Sequence, residues 1–170
     1  MKIFLYLTLP LFILDQITKE WVVRHFSAGT SYETGYFIEV IPGFFNLVRV
    51  HNTGMAFGIG NGSGYSNILF LFIAALAVTF ITVLWRKGAF PSLMSQAAVA
   101  LLLSGIAGNV FDRIFRGYVV DFLDFNLGFY RWPSFNVADA CICVAEGILI
   151  IASFKEENES EEVAKAKSSS

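Results

Sequence analysis

Asp121, in Val119-Val120-Asp121-Phe122, and Asp139, in Phe135-Asn136-Val137-Ala138-Asp139, lie beside long apolar runs. A charged side chain at the centre of a membrane helix costs roughly 2.5–3.5 kcal/mol on insertion scales, so a chain that keeps two carboxylates there uses them. Two carboxylates that share one proton can hydrolyse a peptide bond with water alone. One takes a proton from the water, and the other donates a hydrogen bond to the carbonyl oxygen as charge develops on it. The pair points to an intramembrane aspartyl peptidase.

Other polar groups cluster near these two. Gly105, Gly108, Asn109 and Asp112 fall at i, i+3, i+4 and i+7 and share one helical face. The small residues let a neighbouring helix approach, so that Asn109 and Arg113 reach into the gap. Asp112 reads as an interfacial ion-pairing group. Asn136 lies one turn before Asp139, where its amide can bond a carboxylate or a substrate backbone. Glu146, on the same face, reads as a buried structural glutamic acid. Asp15 and Lys19 can pair at i, i+4. Lys19 reads as a helix-stabilising partner, whereas the deeper Asp15 orients another polar group. His51 precedes Asn52-Thr53-Gly54-Met55-Ala56-Phe57 and is a lone histidine without metal-ligand spacing. With His25 the only other histidine, no Ser-His-Asp or Cys-His arrangement forms. No phosphate-binding loop and no basic surface for nucleic acid is present.

The elements that must position these groups are membrane spans. Of 170 residues, 55% are hydrophobic and 15% charged, against about 25% charged in a soluble domain. Asn67 to Trp85 and Ala89 to Val110 carry no charge, and each reaches the roughly 20 residues that cross a bilayer. Two weaker spans flank them, giving four at about 4–24, 67–85, 90–112 and 137–154 within a single membrane domain, 1–154. The start of the chain resembles a secretory signal, but Asp15-Gln16-Ile17-Thr18-Lys19 stands where a small-residue cleavage site belongs, so it reads as a retained helix. Between the first two spans, β-branched and aromatic runs at Tyr36–Ile41 and Phe44–Val50 flank Pro42-Gly43 and predict a small β element. Glycine-rich Gly58–Gly64 marks a flexible return to the membrane. Trp21, Trp85 and Trp132 fall near span ends, as interfacial anchors do. Cys141 and Cys143 point to different helix faces and read as packing residues. Residues 155–170, with five glutamates and a serine-rich end, read as a disordered acidic tail. An even number of spans puts both termini on one side. Arg86 and Lys87 favour the cytoplasm for that side, although Lys19, Arg24, Arg49, Arg113, Arg116 and Arg131 lie near the other.

Together these motifs resemble bacterial lipoprotein signal peptidase, the type II signal peptidase. The carrying segments are Asp15–Lys19, Asn52–Phe57, Gly108–Arg113, Val120–Phe122 and Phe135–Asp139. They follow the family's order over nearly the whole chain short of the tail. The resemblance implies an all-α, multi-pass enzyme of the bacterial inner membrane with four transmembrane helices, cytoplasmic termini and a small periplasmic β-sheet element. It implies Asp121 and Asp139 as the catalytic dyad on the periplasmic side, with Asp15, Asn52, Asn109, Arg113 and Asn136 in support. It further implies diacylglyceryl-prolipoprotein substrates cleaved before the lipidated cysteine, sensitivity to globomycin, no metal or organic cofactor, and a monomer among membrane lipid. Three rival readings remain. A proton-coupled transporter would also carry intramembrane acids, but would show repeats or broken spans in matching halves. A magnesium enzyme would use Asp121, Asp124 and Asp139 as ligands. A non-enzymatic membrane scaffold would have no reason to carry five polar motifs near one membrane face.

Overall fold

The computed structural model describes residues 2–31, 37–54 and 64–168, of which 157–168 are described as backbone. A π-helical turn, Phe4–Thr8, leads into α1 (Leu9–His25). Then come β1 (Ile38–Ile41), β2 (Phe45–Asn52), α2 (Gly64–Arg86), α3 (Leu93–Phe115), β3 (Val119–Asn126), β4 (Arg131–Phe135) and α4 (Val137–Ser168). Three stretches, Tyr65–Arg86, Leu93–Phe115 and Val137–Glu156, are long and apolar enough to cross a membrane. The shorter α1 carries Asp15, Lys19, Glu20 and Arg24. Tyr36 and the glycine-rich segment before Gly64 lie outside the described residues.

The strands form one antiparallel sheet in the order β1-β2-β3-β4. Pro42-Gly43 makes the expected turn. Phe44 N donates to Ile41 O at 3.0 Å, and Gly43 sits at φ 70°, the conformation that the third residue of a type II turn requires. The sheet is larger than the sequence indicated, because the connection after α3 supplies β3 and β4. Val119 to Phe122 of β3 are all buried, so neither face shows the polar alternation by which a strand is recognised. One side of this strand meets the end of α1, where Val22 and Phe26 pack on Val120 and Phe122.

α3 and α4 pack most closely. A Cβ on Gly108 would meet Asp15 Oδ2 at 2.6 Å and Ala138 Cβ at 2.9 Å, and one on Gly105 would meet Ala138 O at 2.4 Å. α4 answers with Ala138, Cys141, Ala145 and Ala152, all buried. One expectation for α4 is corrected. Glu146 is exposed rather than buried in the bundle, because the face turned to α3 is this small-residue stripe. The α4 backbone runs on as helix to Ser168. The segment 155–168 has no glycine or proline and is rich in Glu, Lys and Ala, which are strong helix formers.

Replacing Gly108 with alanine should destabilise the protein by about 1–3 kcal/mol, the usual range for overpacking. Thermal unfolding in detergent measures this against Gly147→Ala, where a Cβ meets nothing within 4 Å. Equal midpoints for the two variants would contradict the close helix approach.

Candidate active site

Asn136 stands immediately before α4 and ties that helix to the sheet. Asp139 N donates to Asn136 Oδ1 at 2.9 Å, and Asn136 N donates to Asp139 Oδ2 at 3.3 Å. This reciprocal arrangement is a capping box, which satisfies donors left free at a helix start. The remaining amide group, Asn136 Nδ2, donates to Asp121 Oδ1 at 2.7 Å and lies 3.3 Å from Asn109 Oδ1. One side chain thus contacts both aspartates. Asn52, at the end of β2, donates to Asp121 Oδ2 at 3.0 Å, and Asn109 on α3 donates to Asp139 Oδ1 at 2.7 Å. Three asparagines from three elements therefore hold the two carboxylates.

The two acids differ in environment. Asp121 is 2% exposed, whereas Asp139 is half-buried. Burial, then the charge of Asp139, push the Asp121 carboxyl up to about 7, against the weaker opposing effect of its Asn52 and Asn136 hydrogen bonds. Arg113 lies within the electrostatic reach of both aspartates but is not hydrogen-bonded to either. Its guanidinium stacks over the Phe70 ring at 4.1 Å, and its Nε is buried with no hydrogen-bond partner among the described residues.

Asp15 contacts neither carboxylate of the pair. It accepts from Ala138 N at 2.8 Å, fixing the first turn of α4, and pairs with Lys19 at 2.9 Å. Lys19, read from sequence as a helix-stabilising partner, is wholly buried. Its ammonium also meets Asp112 at 3.1 Å and donates to Asn109 Oδ1 at 3.2 Å. Asp112 in turn accepts from Val120 N at 3.1 Å and pairs with Arg116. The i, i+4 spacing of Asp15 and Lys19 was the available signal. It could not show that a second carboxylate, Asp112, arrives from another helix.

Two further groups lie apart from this network. Asp124 is three residues beyond Asp121, on the opposite face of β3, where Asn46 donates to it at 2.8 Å and Arg131 pairs with it. The trio of oxygen ligands that a metal reading needs is therefore not brought together. His51 stacks on Tyr118, ring centroids 3.9 Å apart, and accepts from Arg49 Nε at 3.1 Å. Burial, then the Arg49 charge, hold its pKa below the ordinary value.

Comparison with known proteins gives a consistent result. The sequence model of the family described as signal peptidase (SPase) II matches residues 7–155. The chain is 41% identical over 151 residues to a lipoprotein signal peptidase of Psychromonas ingrahamii, covering 88% of this chain and 83% of that one. It is 39% identical over 142 residues to one of Syntrophotalea carbinolica, covering 84% of each. Two solved bacterial membrane enzyme structures superpose with TM-scores of 0.79 and 0.76 at 31% and 32% identity. They cover 92% and 89% of this chain, and 90% and 92% of their own.

Lys19→Met should destabilise the protein by about 3–5 kcal/mol, because it leaves Asp15 and Asp112 buried without their shared cation. Arg24→Ala should change stability by less than about 0.5 kcal/mol, since it removes only an exposed helical pair with Glu20. Unfolding midpoints in detergent compare the two, and a Lys19→Met protein as stable as Arg24→Ala would contradict the buried ion cluster.

Proposed function

The chain belongs to the signal peptidase II family, and on that premise we propose that it is an intramembrane aspartic endopeptidase with Asp121 and Asp139 as its catalytic pair. Its substrates are prolipoproteins already modified with diacylglycerol, and it cleaves the signal peptide just before the lipidated cysteine. The observation that carries this reading is Asn136, whose side chain contacts Asp121 at 2.7 Å and the amide of Asp139 at 2.9 Å. That places two carboxylates of unlike burial in one polar network.

The unlike burial supports a division of roles. Asp121, buried and pushed up to about 7, keeps the shared proton. The more accessible Asp139, held by Asn109, takes a proton from water. That water attacks the scissile carbonyl, and Asp121 donates a hydrogen bond to the oxygen as it becomes an oxyanion. The tetrahedral intermediate then collapses. The amine leaves with a proton, and the pair returns to its singly protonated state. Arg113, whose buried Nε has no partner among the described residues, offers a donor for a substrate carbonyl. Asn52 and Asn136 hold Asp121 while charge redistributes.

In this reading α1 with its leading π-turn is a fourth span, and the sheet and catalytic pair face the periplasm in the bacterial inner membrane. The diacylglyceryl chains then remain in lipid while water reaches Asp139 from the membrane surface. The reaction draws only on carboxylates and water, so it proceeds without a metal.

Purified protein with a diacylglyceryl-prolipoprotein and EDTA should release the signal peptide on a gel, and Asp139→Asn should release none. Substantial cleavage by Asp139→Asn, or loss of wild-type cleavage on chelation, would sink the dyad. Activity should also fall as pH rises through about 7, where Asp121 gives up its proton. A rate still rising above pH 8 would contradict the assigned roles. The same proton affects stability. The folded chain retains it, whereas an unfolded aspartate near 3.8 releases it. The contribution is therefore fully present below the unfolded value and is lost as pH rises through the folded one. Asp121→Asn should flatten that part of the stability profile.

A further inference from the structure

α2 touches the rest of the molecule along one narrow face. Asn67, Phe70, Leu71 and Ala74 are half-buried and fall at i, i+3, i+4 and i+7, a single helical stripe. α3 is the helix that α2 packs on, while Phe72 and Ile73 are exposed on the other side. At the top of the stripe Asn67 Nδ2 donates to Gly117 O, in the turn that joins α3 to β3. One helical turn further on, the Arg113 guanidinium lies over the Phe70 ring, 4.1 Å from its centre. Among the described residues α2 gives neither aspartate a hydrogen bond, and this ring is its contribution to the site.

Three carboxylates, those of Asp121, Asp139 and Asp112, act on Arg113 through space. A guanidinium beside a carboxylate commonly closes a bidentate pair, among the strongest of polar contacts. Arg113 closes no such pair with any of the three. Their acceptors are engaged elsewhere: Asp121 by Asn52 and Asn136, Asp139 by Asn109, and Asp112 by Lys19 and Arg116. The face of an aromatic ring attracts a cation through its quadrupole. Unlike a carboxylate, it does not use up the N–H donors at the guanidinium edge, and the buried Nε has no partner among the described residues. An ion pair with either aspartate would do the opposite. It would occupy those donors, and a cation against the pair would favour the ionised form of both carboxyls, expelling the shared proton.

Resting on the peptidase reading above, we propose that Phe70 is a positioning residue for the reaction, its ring holding the Arg113 guanidinium off the two aspartates with Nε open to a substrate carbonyl. The charged groups of the elements around that guanidinium are Lys19 and Asp15 from α1, Asp112 from α3, Asp121 from β3 and Asp139 from α4. α2 carries no charge before Arg86 at its far end. Lys19 is committed to Asp15 and Asp112, so Arg113 is the cation whose position can alter how the pair holds its proton. Without the ring, the guanidinium swings onto Asp121 or Asp139, and the pair gives up its proton at lower pH.

The pH profile of kcat/KM, measured on full-length protein in detergent with a diacylglyceryl-prolipoprotein, tests this. In the wild type its alkaline limb should fall at about 7, where Asp121 gives up its proton. Phe70→Leu keeps an apolar side chain without a ring and should move that limb down by about one pH unit or more, as an opposite charge in contact does. That shift alone lowers kcat/KM about fivefold at pH 7. A trifluorinated phenylalanine at position 70 keeps the shape while withdrawing the negative ring face, and should move the limb the same way. Phe70→Tyr keeps the face and should leave the limb where the wild type has it. Phe72→Leu, on the exposed side of α2, should do the same. A limb left in place by the fluorinated ring overturns the proposal, even where Phe70→Leu loses rate, because lost packing lowers the rate without moving the limb. A wild-type protein that cleaves nothing across the pH range instead overturns the peptidase reading, and this inference with it.

Discussion

The buried ammonium of Lys19 is the point on which the site's geometry depends. It lies between Asp15 at 2.9 Å and Asp112 at 3.1 Å, all three essentially inaccessible. Each acid reaches on to the backbone of an element that carries a catalytic candidate. Asp15 accepts from Ala138 N, one residue before Asp139. Asp112 accepts from Val120 N, one residue before Asp121. The same ammonium orients Asn109 by binding its carbonyl oxygen, which turns the amide nitrogen toward Asp139. A cation removed from water is costly unless neighbouring acids compensate it. Here the compensating acids also fix the separation of α4 and β3.

Close helix packing makes that arrangement possible. Gly108 leaves the space that the Asp15 carboxylate occupies, since a methyl group there would sit 2.6 Å from Oδ2. Gly105 does the same for the backbone of Ala138. Small residues on a membrane helix commonly permit close packing, and in this chain they also admit a charged group between helices. The sheet completes the enclosure. β3 brings Asp121 in on a strand buried on both faces, and β2 adds Asn52 at its end.

From this geometry the two aspartates acquire unlike character. Burial and the neighbouring charge favour the neutral form of Asp121, while Asp139 at the helix start remains open to water. Each of the three asparagines can donate to a carboxylate without itself titrating.

The sequence by itself determined the membrane character, the helical spans and the identity of the polar residues. Uninterrupted apolar runs and helical spacing are local properties, and the motifs that resemble lipoprotein signal peptidases are short and contiguous. The Pro42-Gly43 turn was legible for the same reason. Tertiary structure decided which polar groups meet. Lys19 looked like a simple helix partner until Asp112 arrived from α3, and Asp15 proved to hold the start of α4 rather than either aspartate. β3 was hidden because burial on both faces erases the alternation that marks a strand. Glu146 looked buried because spacing along a helix assigns residues to faces without saying which face a neighbour covers. Contacts between residues 90 or more positions apart, such as Lys19 with Asn109, depend on packing that no local pattern records.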